Sequence, residues 1–397
     1  TLRASIAISC APILFHDAAH DIAIDARKVA FETLADWLAP EGLAPDPVAV
    51  APGDPFNIIY SSGTTGTPKG IVQPHSMRWA HISRAALGFG DAVTMVVTPL
   101  YSNTTLVSFI PTLAWGGTIV LMGKFDAADF VRLAEKHRAT HVMLVPVQYQ
   151  RIMALPDFDA HDLTSFRFKT CTSAPFPAAL KADVLARWPG YLVEYYGMTE
   201  GGGTTALVCN AHPAKLHTVG VPVDGHDIRM IDEEGREVPR GETGEVVGRS
   251  SAMMSGYHGR AQATSEAEWF DAKGSRYIRH GDLGRFDEDG FLILMDRKKD
   301  LIISGGFNVY PSDLEAILIA HPQVRDCSVV GVPSEAWGET PIGFYVGEGD
   351  PQQILAWFNA QVGKTQRLSA LERIDELPRN AIGKILKREL RDRYLAQ

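Results

Sequence analysis

"YSSGTTGTPKG", residues 60–70, follows the apolar run "FNII" at 56–59. "FNIIY" reads as a buried strand that delivers the chain into a loop of hydroxyls and glycines ending in lysine. Glycine lets backbone N–H groups turn toward one centre without a Cβ clash. Successive amides then form an anion nest. Ser61, Ser62, Thr64, Thr65 and Thr67 add hydroxyl donors around Gly63 and Gly66. Lys69 adds a positive charge suited to phosphate, and Pro68 stiffens the exit. An ordinary surface turn has the same composition. A buried strand before the loop and a lysine at its end favour an oxyanion site. The site is not a P-loop, which needs Gly, four residues, then Gly-Lys and a hydroxyl. Here Gly66 and Lys69 are separated, and Gly70 follows the lysine.

Working outward, 397 residues exceed one typical domain. A net charge of −9 argues against whole-molecule attraction to nucleic acid or to an anionic membrane. No run is long enough to span a bilayer, and no signal peptide is visible. Cys10, Cys171, Cys209 and Cys327 are scattered, without metal-ligand spacing or disulfide-scaffold density. The expected setting is therefore reducing and cytoplasmic. Neither a G-x-S-x-G elbow nor an H-E-x-x-H zinc motif occurs.

Residues 1–50 read as irregular. "TIVLM" (118–122) is strand-like, and "DAADFVRLAEKHRA" (126–139) has helical spacing, with Phe130, Leu133, Ala134 and His137 on one stripe and Asp126 as N-cap. "THVMLV" (140–145) returns as a strand. This is a βαβ unit and implies parallel sheet. "AALKADVLARW" (178–188) and "YLVEYYG" (191–197) repeat the alternation. Beyond about residue 214 short alternating runs are split by glycine and acidic turns, which predicts hairpins. The charged break "RKKD" (297–300) precedes a mixed segment of helices and strands with a basic end. The fold class expected is α/β. A large N-terminal domain (1–298) has mostly parallel sheets plus a hairpin-rich β subdomain (214–298). A small mobile α+β C-terminal domain (299–397) follows.

Several further motifs are ambiguous alone. "YYGMTEGG" (195–202) is a strand end and a polar loop, or a carboxylate beside a threonine able to hold Mg²⁺. "TSAPF" (172–176) is a loop. Asp282, between glycines in "RHGDLGRF", is a turn cap or an acceptor for two sugar hydroxyls. Lys384 follows Gly383 in a basic tail. Trp79, Tyr101, Phe109 and Trp115 are core by default, or the walls of a pocket.

Together these stretches resemble one family. "YSSGTTGTPKG" looks like the phosphate-binding signature of the acyl-adenylate-forming superfamily: acyl-CoA synthetases, luciferases and peptide-synthetase adenylation domains. Several motifs recur in the family's order from residue 56 to the end. The resemblance implies that residues 61–67 and Lys69 hold the ATP phosphates. It implies that Thr199 touches phosphate and that Glu200 binds Mg²⁺. It assigns Ser173, Ala174, Pro175 and Tyr196 to adenine, and Asp282 and Arg297 to the ribose. Lys299 matches the hinge about which the C-terminal domain rotates, and Gly305–Gly306 borders the coenzyme A tunnel. Lys384 would neutralise charge on the carboxylate and α-phosphate during adenylation.

The resemblance also implies ATP, Mg²⁺, coenzyme A and a small carboxylic acid, medium-chain or aromatic, as what the protein works with. "TPLYSNTT" matches the acid pocket, but Ser102 and Asn103 follow Tyr101 where relatives place an aromatic gate. His280 stands where the family usually has threonine, and the family more often opens the Ser173 element with glycine. The family pattern has a longer segment before the phosphate loop, so part of the N-terminal domain is expected to be absent. A homodimer or a partner chain supplying that portion is a further expectation. The competing readings are an enzyme that loads a carrier-protein thiol, a luciferase-like oxidase, and a silent binding protein of the same fold.

Overall fold

The computed structural model describes residues 13–16, 27–44, 46–61, 68–83, 88–380 and 383–396. Cys10 and the loop residues Ser62, Gly63, Thr64, Thr65, Gly66 and Thr67 lie outside them. The centre of the molecule is a seven-stranded sheet in the order Val221–Pro222, Thr205–Val208, Tyr191–Tyr196, Phe168–Cys171, His141–Leu144, Val93–Val96, Thr118–Leu121. Its last five strands run parallel, and the first two are antiparallel. His141–Leu144 is buried at every position, as a strand covered on both faces must be.

The helix Ala127–His137 crosses between two of these strands. Asp126 caps it, accepting from the Asp129 N–H at 2.9 Å, and Arg138 ends it at φ 49°. Its buried stripe is Phe130, Val131 and Ala134, whereas His137 is exposed. The expected stripe is therefore rotated toward Val131. His137 falls in the last turn, where a basic group suits the helix dipole.

Trp188 is the hub of the core beneath this sheet. It is 1% exposed and meets Phe166 at 5.1 Å, Phe158 at 5.6 Å, Phe130 at 5.8 Å and Tyr149 at 5.9 Å between ring centroids. Truncating such a residue costs about 3–5 kcal/mol. Lys181, on helix Ala178–Arg187, pairs with Glu194 of strand Tyr191–Tyr196 in the same interior. Its ammonium also donates to the carbonyls of Leu216 (2.8 Å) and Thr218 (3.1 Å). Burial pushes the Glu194 carboxyl up to about 7, against the pull of Lys181.

The predicted hairpins form a five-stranded antiparallel sheet: Asp227–Ile231, Gly244–Arg249, Arg276–Phe286 and Glu268–Phe270 in order, with Leu292–Arg297 also paired to Arg276–Phe286. The strand Val221–Pro222 belongs instead to the central sheet. A 3₁₀ turn, Lys298–Asp300, separates this region from the last one. There a five-stranded sheet and the helices Pro311–Leu318, Pro351–Asn359 and Lys387–Leu395 enclose their own core around Ile302, Leu314, Val329 and Phe358. Among the described residues no helix is long and apolar enough to cross a membrane.

Three further expectations are corrected. Residues 55–61 are not a buried strand. Pro55–Ser61 is the edge of a three-stranded antiparallel sheet, after Gly256–Tyr257 and Lys69–Pro74, and Phe56 is 43% exposed. Among the described residues only one of its edges is paired, and its apolar residues Ile58 and Ile59 are half-buried. The first fifty residues are not wholly irregular: Ile13–His16 and Arg27–Ala30 pair in parallel, and a helical turn spans Leu34–Trp37. Trp79, Tyr101 and Trp115 are not core but exposed.

Candidate active site

Asp282 and Arg297 lie opposite each other in the register of their two strands. The Arg297 Nε is 2.8 Å from Asp282 Oδ1. Tyr196, at the end of a central-sheet strand, donates its hydroxyl to Asp282 Oδ2 at 2.7 Å. One carboxylate thus joins the parallel domain to the β subdomain. His280 lies behind it, with Nδ1 2.9 Å from the Tyr196 hydroxyl and Nε2 2.8 Å from the Gly202 carbonyl. Since Nε2 can only donate to that carbonyl, Nδ1 of the neutral ring is an acceptor that competes with Asp282 for the single Tyr196 proton. Burial lowers the His280 pKa and keeps the ring neutral. Gly202 is required here: its φ is 82°, and a Cβ would stand 2.6 Å from the Ile278 Cβ.

The expected phosphate and metal groups are linked by a residue that the sequence did not single out. The Tyr257 hydroxyl donates to Glu200 Oε1 at 2.8 Å. The Lys69 ammonium lies over the Tyr257 ring, 5.0 Å from its centroid. Lys69 opens the strand Lys69–Pro74, which pairs directly with Gly256–Tyr257. Glu200 keeps one oxygen clear of the tyrosine. A lone carboxylate suits Mg²⁺, which takes one or two carboxylates and completes its shell with phosphate oxygens and water. Among the described residues no group of three or more His, Cys, Asp or Glu gathers to hold a metal by protein ligands alone.

Lys384 comes to this cleft from the C-terminal domain. Its N–H donates to Asn380 Oδ1 at 2.9 Å, and Arg379 ties the loop by donating to the Gly383 carbonyl at 2.8 Å while pairing with Asp326 at 2.7 Å. Gly383, at φ 77°, sits so close to Val147 that a Cβ would be 2.7 Å from its Cγ1. That contact docks the loop on the start of helix Pro146–Met153. The Lys384 pKa is lowered to about 8 by burial and by Arg297, with Asp282 opposing and Lys299 adding to the fall. Lys384 is therefore within the field of the Asp282–Arg297 pair. Lys299 lies in the 3₁₀ turn between the domains, its own pKa lowered by burial. Gly305 and Gly306 form an exposed turn between Ile302–Ser304 and Phe307–Val309, with Trp337 over Gly305.

Of the residues expected at the acid pocket, Tyr101 is exposed, Ser102 is buried and Asn103 is half-buried at the start of helix Asn103–Ala114. Ser173 adopts φ 83°, a left-handed conformation that costs a non-glycine residue strain. A glycine would adopt this conformation without that strain. The Ser173 hydroxyl is 2.8 Å from that of Thr104, so the Ser173–Ala174–Pro175 element is fastened to the helix Asn103–Ala114. Below that helix a narrow cavity is lined by Phe89, Val107, Ser108, His141, Phe168 and Tyr195. Gln73 donates to the Thr199 carbonyl at 2.7 Å. Neither Tyr257 nor Gln73 carries a local sequence signal, because each acts through a partner more than fifty residues away.

A lysine loop of the C-terminal region, docked on Val147 and within the field of the Asp282–Arg297 pair, fits a ligase of the adenylate-forming class. The chain belongs to the AMP-binding enzyme family. The family's model, "AMP-binding enzyme", matches residues 7–258, and its "AMP-binding enzyme C-terminal domain" matches residues 313–384. A feruloyl-CoA synthase of an Amycolatopsis species is 35% identical, over 98% of this chain and 80% of that protein. The fatty acid–[acyl-carrier-protein] ligase ScoC of Streptomyces coeruleorubidus is 34% identical, over 91% of this chain and 72% of that protein. The crystal structure of ATP-bound MatB from Rhodopseudomonas palustris is similar with a TM-score of 0.88 at 28% identity, covering 99% of this chain and 81% of that chain.

Proposed function

We propose that the protein activates a carboxylic acid with ATP and transfers the acyl group to coenzyme A. In the first step a carboxylate oxygen attacks the α-phosphorus, and the bond to pyrophosphate breaks. In the second the coenzyme A thiol, losing its proton to solvent, attacks the acyl carbonyl, and AMP leaves. Lys69 and residues 61–67 would hold the phosphates. Glu200 would hold Mg²⁺, whose chemistry is to neutralise phosphate charge, and Thr199 would touch the phosphate. Asp282 and Arg297 would take the ribose, while Tyr196 and Ser173, Ala174 and Pro175 would flank the adenine. Lys384 would face the carboxylate and α-phosphate, where negative charge crowds. Lys299 would serve as hinge, and Gly305–Gly306 would border the path of coenzyme A. Cys171, Cys209 and Cys327 are free and buried, in keeping with a reducing, cytoplasmic setting.

The observation that carries this reading is the Lys384 loop seated in the field of Asp282 and Arg297. The same loop rests on Val147 of the parallel domain through Gly383, which supports a role for Lys384 at the proposed nucleotide cleft. ScoC, a ligase named for acyl carrier protein, favours keeping a carrier thiol as the second reading. ATP–pyrophosphate exchange with a panel of acids tests the first step, and the thiol acceptor is then varied. Exchange followed by thioester formation on coenzyme A is expected. Transfer only to a phosphopantetheinyl carrier would favour the second reading, and no exchange with any acid would remove both.

A further inference from the structure

The acid side of the cleft holds a buried arginine without a carboxylate partner among the described residues. Arg78, on helix His75–Ile82, is 1% exposed. Its Nε donates to Asn57 Oδ1 at 2.9 Å, and Nη1 donates to Asn103 Oδ1 at 2.9 Å and faces His81 Nδ1 at 3.5 Å. Its Nη2 donates to Gln73 Oε1, which also accepts from Asn57 Nδ2 at 3.1 Å. Gln73 Nε2 turns the other way, to the Thr199 carbonyl at 2.7 Å and to Asn103 Oδ1 at 3.4 Å. The burial of a guanidinium among neutral amides is costly and leaves its positive field unopposed; its pKa is held down at about 10 by that burial.

The network settles the orientation of one side chain. Arginine has only donors, so the Asn103 atom facing Arg78 must be the carbonyl oxygen. Gln73 Nε2, also a donor, lies near the same atom. Asn103 Oδ1 is thereby filled, and its Nδ2 has two donor hydrogens without a partner among the described residues. Asn103 lies next to Ser102 in the acid-pocket stretch. Through Gln73 it is one residue removed from Thr199, beside Glu200. A donor presented here, with a cation behind it, favours an electron-rich oxygen.

We propose that Arg78 and Gln73 are positioning residues that lock Asn103 as a hydrogen-bond donor to the acid. The acid then carries an oxygen acceptor besides its reacting carboxylate: a hydroxyl, alkoxy or keto oxygen, or a second carboxylate. This rests on the acyl-adenylate reading and narrows its substrate class.

The test is ATP–pyrophosphate exchange on pairs of acids matched in size, one member bearing the oxygen and the other a methyl or methylene in its place. Hydroxycinnamic against methylcinnamic acid is one pair, and a dicarboxylic against a monocarboxylic acid of equal length is another. For at least one pair the native enzyme should favour the oxygen-bearing acid in kcat/KM by about tenfold or more, since a site built to bond an oxygen rejects the analogue lacking it. Asn103→Leu and Arg78→Met should bring that ratio close to one, and Arg78→Lys should restore part of it. If Arg78→Met does not fold, Asn103→Asp decides: it keeps the shape, pairs with Arg78 and loses the donor. Exchange without preference in any pair, or equal loss on both acids in the variants, would overturn the inference and leave adenylation standing. No exchange with any acid would remove the adenylation reading and this inference with it.

Discussion

Asp282 and Arg297 face each other across adjacent antiparallel strands, and the guanidinium reaches the carboxylate at 2.8 Å while Tyr196 bonds its other oxygen at 2.7 Å. The carboxylate is 12% exposed at its side chain and the guanidinium 39%, so the pair opens toward the cleft. Each carboxylate oxygen keeps acceptor capacity for a sugar hydroxyl. Asp282→Asn keeps the shape and loses the charge and half of that capacity. It should raise KM for ATP by about tenfold, with a much smaller change in KM for the acid. Equal increases in both would remove the ribose assignment.

In the proposed role Lys384 acts as a cation, so it must be protonated. With its pKa lowered to about 8, the ammonium is present below that pH and is lost above it. The kcat/KM for ATP in the exchange reaction, which reports the free enzyme, should therefore fall above about pH 8. In Lys384→Arg the fall should move beyond pH 10, because a guanidinium keeps its proton. Lys384→Ala should suppress adenylate formation by about a hundredfold or more. It should leave thioester formation from a supplied acyl-adenylate mostly intact; equal loss in both steps would contradict the role.

Lys299 stands in the turn Lys298–Asp300 between the two domains. Proline fixes φ and removes the rotation that a hinge must absorb. Lys299→Pro should slow thioester formation by about tenfold more than adenylation, measured in separate single-turnover experiments. An unchanged thioester rate would refute the hinge.

Lys181→Met leaves the Glu194 carboxylate buried without its partner. Loss of one member of such a pair destabilises by about 3–5 kcal/mol. Glu194 is already raised to about 7 by burial. A carboxyl raised in the folded state contributes stability below its unfolded pKa, and that contribution is lost as pH rises through the folded value. The gap in melting temperature between variant and native protein should therefore narrow from pH 7 to pH 5. A gap independent of pH would show that Glu194 does not carry the cost.

Much of this was legible in the chain. Asp126 announced its helix, the acidic glycine turns announced the antiparallel sheet, and the family motifs pointed to Asp282 and Arg297, which the fold pairs, and to Glu200 and Lys384, whose roles are proposals. The rest depended on distant partners. "FNIIY" is apolar whether it lies in the centre of a sheet or at its edge, and only pairing decides. Arg78 reads locally as a solvated charge on a short helix. It is buried because Asn57, Gln73 and Asn103, from other elements, absorb its donors. Tyr257 joins Lys69 to Glu200 only because the strand it ends pairs with the strand that Lys69 begins.

A crystal structure with Mg²⁺ and a non-hydrolysable ATP analogue puts the single-cleft account to its hardest trial. The ribose hydroxyls should lie on Asp282, the metal on Glu200 and the phosphates between Lys69 and the Lys384 loop. A triphosphate bound away from Lys69 and Glu200, with Asp282 out of reach of the ribose, would contradict it.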